Sequence, residues 1–179
     1  MANASNAEAK RFSMECIETA LLDLMKEKEY DKITYQELAA RAGVSRNAIY
    51  RNFSSMDDVL THYLSQITGE FLRSVDHNND YPAYLLTLFR HLYNTKEIGI
   101  LILNAKRTSF LYEAFLQMRN RYDVGDNNLR EYYDYYRIGG IYSVYLHWLE
   151  NGCRETPEEL CEIVSQVMRV YGIVPNGDN

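Results

Sequence analysis

Between residues 11 and 28, apolar side chains recur at Met14, Ile17, Leu21, Leu24 and Met25, close to the i, i+3, i+4, i+7 stripe of an amphipathic helix. Arg11, Glu15, Glu18, Asp23 and Lys26 fall on its polar face. After a polar break at residues 29–32, the pattern shortens to two helical stretches, 35–42 and 46–52. Thr34 stands as N-cap of the first, and Glu37 three residues later completes the capping-box spacing. Gly43 marks the turn, where glycine takes positive φ without steric cost, and Ser45 caps the second stretch. A fourth helix carries Val59, Leu60, Tyr63, Leu64, Ile67 and Phe71; Ser55 opens it, and Asp57 and Asp58 complement the dipole of its first turn. Its length makes it a strut leading out of the N-terminal unit.

The second half reads as further helices over 84–93, 97–104, 108–121 and 129–150, with a last one opened by Thr156 as N-cap and Pro157 at the first helical position. Residues 76–82 form a polar joint, 123–128 a loop, 1–9 an unstructured polar leader, and the chain from Pro175 a loose tail. Strand-like alternation persists nowhere. The expected fold class is therefore all-α, a three-helix helix-turn-helix head on a larger helical body.

The 179 residues, 46% of them hydrophobic and 25% charged, suffice for a real core. No apolar run approaches the 18 residues of a membrane span and no signal-like segment opens the chain, so the expected address is the cytoplasm. The net charge of −6 lowers the expectation of nucleic-acid binding until its distribution is considered. From residue 38 to 56 the charged side chains are Arg41, Arg46 and Arg51, with no acid among them. A local basic patch on an acidic chain suits specific DNA contact. Cys16, Cys153 and Cys161 show no metal or disulfide spacing, and His62, His77, His91 and His147 form no ligand pair. No nucleophile elbow, phosphate loop or isolated carboxylate pair occurs, so neither an enzyme, a cofactor nor a metal is expected.

Small residues at Ala39, Ala42 and Gly43 and an apolar anchor at Ile49 keep the offsets of a helix-turn-helix, whose second helix enters the major groove. Arg46 and Asn47 open that helix; arginine suits guanine and asparagine adenine in bidentate base contacts. The competing reading is of two solvated polar residues on an exposed turn. Arg51 is expected on a phosphate, and Arg41 is a candidate for a plain surface charge. Ala39, Val44, Ile49 and Phe53 are assigned to core.

Thr34, Leu38, Ala39, Ala42-Gly43-Val44-Ser45, Ile49-Tyr50, Phe53 and residues 57–60 resemble the N-terminal DNA-binding domain of TetR-type (TetR/AcrR) transcriptional regulators, over about the first 60 residues. Gly139-Gly140-Ile141 and Trp148 through Gly152 are similar to one subgroup of that family. The resemblance implies a DNA-binding domain at 9–56 and a ligand-binding and dimerisation domain at 57–174. It implies DNA contacts from Thr34, Ser45, Arg46, Asn47, Tyr50 and Arg51, with the Thr34 and Tyr50 hydroxyls on phosphates. Two departures stand out. Met56 occupies a place often held by a phosphate-binding lysine, and Asn47-Ala48 replaces the usual glycine-threonine.

Tyr132, Tyr133, Tyr135, Tyr136, Tyr142 and Tyr145 crowd one helix with His147 and Trp148, fit either to line a mostly apolar pocket or to thicken core and dimer interface. Candidate ligand-orienting residues are His91, Asn104, Arg107, Tyr136 and His147. The function expected is that of a ligand-responsive homodimeric repressor on a palindromic double-stranded operator, joined through its last two helices, with a small-molecule effector and no membrane partner. The alternatives are an activator or co-activator whose body binds a protein, and a helical scaffold without operator binding.

Overall fold

The computed structural model describes residues 2–75, 81–118 and 128–170. Among them the regular structure is helical, without strands: α1 (Ala2–Glu27), α2 (Tyr35–Ala42), α3 (Arg46–Asn52), α4 (Met56–Ser74), α5 (Tyr81–Asn94), α6 (Lys96–Asn104), α7 (Thr108–Gln117), α8 (Asn128–Glu150) and α9 (Pro157–Val170), with a 3-10 turn at Tyr30–Lys32. The fold is all-α, as the sequence implies. The loop expected at 123–128 and the joint at 76–82 fall largely outside the described residues, as does the tail.

Two compact units emerge. The first comprises Met1–Ile67 together with Leu101–Phe110, the second Thr68–Ile100 together with Leu111–Asn179. In the first, α1 supplies Ile17, Ala20, Leu21, Leu24 and Met25 to a core closed by Leu38, Ala39, Ile49, Phe53, Val59 and Leu60. Ala105 is buried in that same core, with Leu101 and Phe110 packed against it. Lys106 ends α6 in the left-handed region, φ 56°, and the Arg107 amide reaches back to the Ile102 carbonyl. This is a Schellman-type turn with lysine where glycine is usual. It leaves Arg107 with Nη2 on Asp31 Oδ1 at 2.8 Å and Nε 3.5 Å from Asp57 Oδ1. The guanidinium also stands over the Tyr30 ring, and Tyr30 donates its hydroxyl to Asp57 at 2.7 Å.

Two expectations for α1 change. It begins at Ala2, so the segment read as an unstructured leader is helical. Four of its first nine residues are alanine, with Glu8 beside them, and strong helix formers extend a helix without needing an apolar face. Glu18, placed by periodicity on the polar face, is only 3% exposed; its carboxylate meets His62 Nδ1 and the Gln66 amide of α4. A buried carboxylate persists where such partners meet both oxygens.

The second unit is built on aromatic and aliphatic contacts among its helices. Phe89 meets Trp148 edge-on with centroids 6.2 Å apart, and Phe115 lies 5.4 Å from Tyr145. Gly99 lets α6 approach α8: a Cβ there would stand 2.2 Å from the Tyr145 hydroxyl oxygen and 3.0 Å from Leu149 Cδ1. Thr156 and Glu159 form a capping box at the start of α9. Of the α8 tyrosines, Tyr145 is buried, while Tyr132, Tyr135 and Tyr136 are exposed.

Candidate nucleic-acid interface

The helix-turn-helix is set by caps that its sequence encodes. Thr34 Oγ1 accepts from the Glu37 amide at 3.2 Å, and Glu37 Oε2 accepts from both the Thr34 amide (2.9 Å) and its hydroxyl (2.8 Å). Lys28 Nζ sits 2.6 Å from the other Glu37 oxygen. With these donors, the Lys28 ammonium first, the Glu37 carboxyl is held at about 2. Gly43 takes φ 66°, ψ 27°, and the Val44 amide closes the turn onto the Ala39 carbonyl at 3.1 Å. Ser45 Oγ then accepts from the Ala48 amide at 3.1 Å and starts α3. Caps of this kind contribute about 1 kcal/mol each, enough to fix where so short a helix begins.

Once α3 starts at Arg46, its register sorts the side chains. Ile49 is completely buried, and Phe53 just beyond its end nearly so. Arg46, Asn47, Tyr50 and Arg51, at i, i+1, i+4 and i+5, form one solvent-facing surface. Tyr50, 55% exposed, rests its ring 5.0 Å from that of Tyr35 at the start of α2. Sequence reasoning did not single out Tyr35 as the ring beside Tyr50; its one signal was its place next to the Thr34 cap.

The three arginines of the acid-free stretch differ once folded. Arg41 donates through both Nη atoms to the Glu27 carboxylate at 2.9 and 2.8 Å, which holds that carboxyl below its ordinary range. Arg46 and Arg51 have no ion-pair partner among the described residues and lie exposed. Ser45 spends its oxygen on the cap but keeps its hydroxyl hydrogen for an outside acceptor. Thr34 directs its own hydrogen to Glu37, so a phosphate there would compete with the capping box.

The residues singled out for a ligand are divided between the two units. Asn104, exposed, and Arg107, bound to Asp31 and Asp57, lie in the first unit. His91 lies in the second, its ring 5.1 Å from that of Phe71. Tyr136 and His147 do come together, on the wall of a groove of about 1020 Å³ bounded by α8 and α9. Among the described residues no cluster of three or more histidine, cysteine or acidic side chains could hold a metal ion, and no helix is long and apolar enough to cross a membrane.

A capped helix-turn-helix that buries Ile49 and Phe53 and turns arginine, asparagine and tyrosine outward defines a DNA-binding transcriptional regulator. Residues 17–63 match the family model described as bacterial regulatory proteins, tetR family, and residues 79–170 match a transcriptional regulator C-terminal region. The chain belongs to the TetR family of transcriptional regulators. No match was found among the curated proteins. Among solved structures, the dihydroxyacetone kinase operon activator DhaS is similar in fold, with a TM-score of 0.62 and 16% identity over 88% of this chain and 93% of that one.

Proposed function

We propose that this protein is a cytoplasmic, ligand-responsive homodimeric repressor of a near-palindromic double-stranded DNA operator. Residues 9–56 serve as its DNA-binding domain and 57–174 as its ligand-binding and dimerisation domain. The observation that carries the reading is the outward face of α3, where Arg46 and Arg51 stand exposed without a carboxylate partner among the described residues while Ile49 anchors the helix in core. Arg46 and Asn47 read base edges; Ser45, Tyr50 and Arg51, with Thr34 when its cap yields, hold phosphates.

Support for a dimer through α8 and α9 comes from their unpartnered surface. Ile163, Val167 and Val170 of α9 are exposed apolar residues, and a Cβ built on Gly139 or Gly140 of α8 meets nothing within 4 Å. Two glycines that no contact among the described residues requires fit the close approach of a partner helix. In such a dimer each head reads one half-site, with centres about 34–36 Å apart. An effector releases the operator only if it binds one spacing of the heads more tightly than the other.

Selection of bound duplexes from a random pool tests the reading directly; it should return an inverted repeat. Arg46→Ala should then lose roughly 1–3 kcal/mol at one base position per half-site, whereas a uniform loss over all sequences would make Arg46 a phosphate contact. A pool that yields no enriched sequence would sink operator recognition. The similarity in fold to DhaS, an operon activator, favours a second reading, transcriptional activation. A reporter driven from the selected operator separates the two, because deletion of the regulator raises output for a repressor and lowers it for an activator.

A further inference from the structure

In the second unit, Thr68 Oγ1, on a residue 1% exposed, and His91 Nε2 are buried without a hydrogen-bond partner among the described residues. Phe71, fully buried, stands one helical turn after Thr68 on α4, and its ring lies 5.1 Å from the His91 imidazole and 5.9 Å from Tyr84 on α5. α4 and α5 thus meet through aromatic rings, one of them the imidazole whose Nε2 is unanswered, and the unanswered Thr68 hydroxyl stands one helical turn along α4 from Phe71. Folded proteins satisfy roughly nine in ten buried polar groups, and exceptions concentrate where a site trades stability for binding.

The chemistry around these atoms narrows what they would accept. Burial pushes the imidazole below its ordinary pKa and outweighs the opposing attraction of Glu70, so the ring is neutral and Nε2 offers a single donor or acceptor. An anionic ligand would meet repulsion from Glu70. A flat apolar body would lie against Phe71 and Tyr84, in the offset or edge-on geometry that aromatic pairs prefer.

We propose that Thr68 and His91 hold the polar end of a small, flat, uncharged ligand carrying one hydroxyl or carbonyl, with Phe71 against its ring. The site rests on the reading of the second unit as ligand-binding and gives that reading a chemical class of effector. The ligand enters as α4 and α5 part, replacing ring contacts between them with its own.

The test uses the full-length protein and 4-fluorophenol as probe, followed by fluorine NMR line broadening, with fluorobenzene and 4-fluorobenzoate as the non-hydrogen-bonding and charged controls. The wild type should bind 4-fluorophenol at millimolar concentration and both controls at least fivefold more weakly. Thr68→Val removes the unmet hydroxyl at nearly constant volume. It should weaken 4-fluorophenol at least fivefold while raising Tm by about 2–4 °C, since the orphan is gone. His91→Phe should show the same loss of binding. Equal affinity in wild type and Thr68→Val, or no binding by the wild type, overturns the site, and a lowered Tm in Thr68→Val overturns the claim that the hydroxyl is unmet. Should the probe bind as expected yet leave operator affinity unmoved, the site stands and the effector reading of the second unit falls.

Discussion

The arginines of the helix-turn-helix separate by whether a carboxylate has already claimed them, and salt dependence should reveal it. Arg41 is held bidentate by Glu27, whereas Arg51 is exposed and unpaired among the described residues. Each phosphate neutralised by a free cation adds about −0.9 to the slope of log affinity against log salt concentration. In a dimer, Arg51→Gln removes two such contacts, so the slope should flatten by about 1.8. Over a fourfold rise in salt that difference amounts to about a twelvefold change in retained affinity. Arg41→Gln should leave the slope close to wild type, because a guanidinium that keeps its carboxylate releases no counterion on approaching DNA. Fluorescence anisotropy of a labelled operator, titrated at several potassium chloride concentrations, gives both slopes. Equal flattening by the two variants would refute the reasoning, since it would mean that the Glu27 pair opens on DNA.

Other perturbations follow from single contacts. Gly99→Ala should cost about 1–3 kcal/mol in denaturant unfolding, because its Cβ would stand 2.2 Å from the Tyr145 hydroxyl, and Tyr145→Phe should recover part of that loss. A Gly99→Ala protein as stable as wild type would show that the helices adjust freely. The Glu37 carboxyl, held at about 2 against an ordinary 4.5, contributes stability that is present above pH about 4.5 and fades as pH falls toward 2. Glu37→Gln should accordingly be less stable than wild type at pH 7, with the gap closing across that acid window; a gap independent of pH would assign its role to shape alone. Lys106→Gly, which relieves a left-handed lysine, should stabilise the protein by up to about 1 kcal/mol, and a loss would mean that the lysine side chain makes an unseen contribution. Val167→Glu should turn the dimer proposed through α8 and α9 into monomers in analytical ultracentrifugation, and an unchanged mass would remove α9 from the interface.

How much of this was legible in the sequence depended on the range of the interaction. The caps at Thr34, Ser45 and Thr156 each lie within three residues of their partners, and α2 and α3 begin and end where the spacing puts them. Gly43 announced its turn for the same local reason. Periodicity failed for Glu18, because the histidine and glutamine that stabilise a buried carboxylate stand 44 and 48 residues away. It failed too for residues 2–9, where alanine-rich propensity rather than an apolar stripe makes the helix. Arg107 was read as a ligand candidate from its apolar neighbourhood; its bonds to Asp31 and Asp57 span 76 and 50 residues, beyond any local pattern. The orphaned polar atoms of Thr68 and His91 are visible only in three dimensions, since what distinguishes them is burial without a hydrogen-bond partner among the described residues.

The membership of Leu101–Phe110 in the first unit bears on how such a regulator can be rebuilt. A fragment cut after residue 67 would lose the buried Ala105 and the flanking Leu101 and Phe110, and would leave Asp31 and Asp57 facing each other's charge without the Arg107 guanidinium. The reading head is therefore not a portable cassette. A chimera that grafts it onto another body must also carry a matching stretch from the middle of the chain, and recombination that separates the two in evolution would exact the same loss.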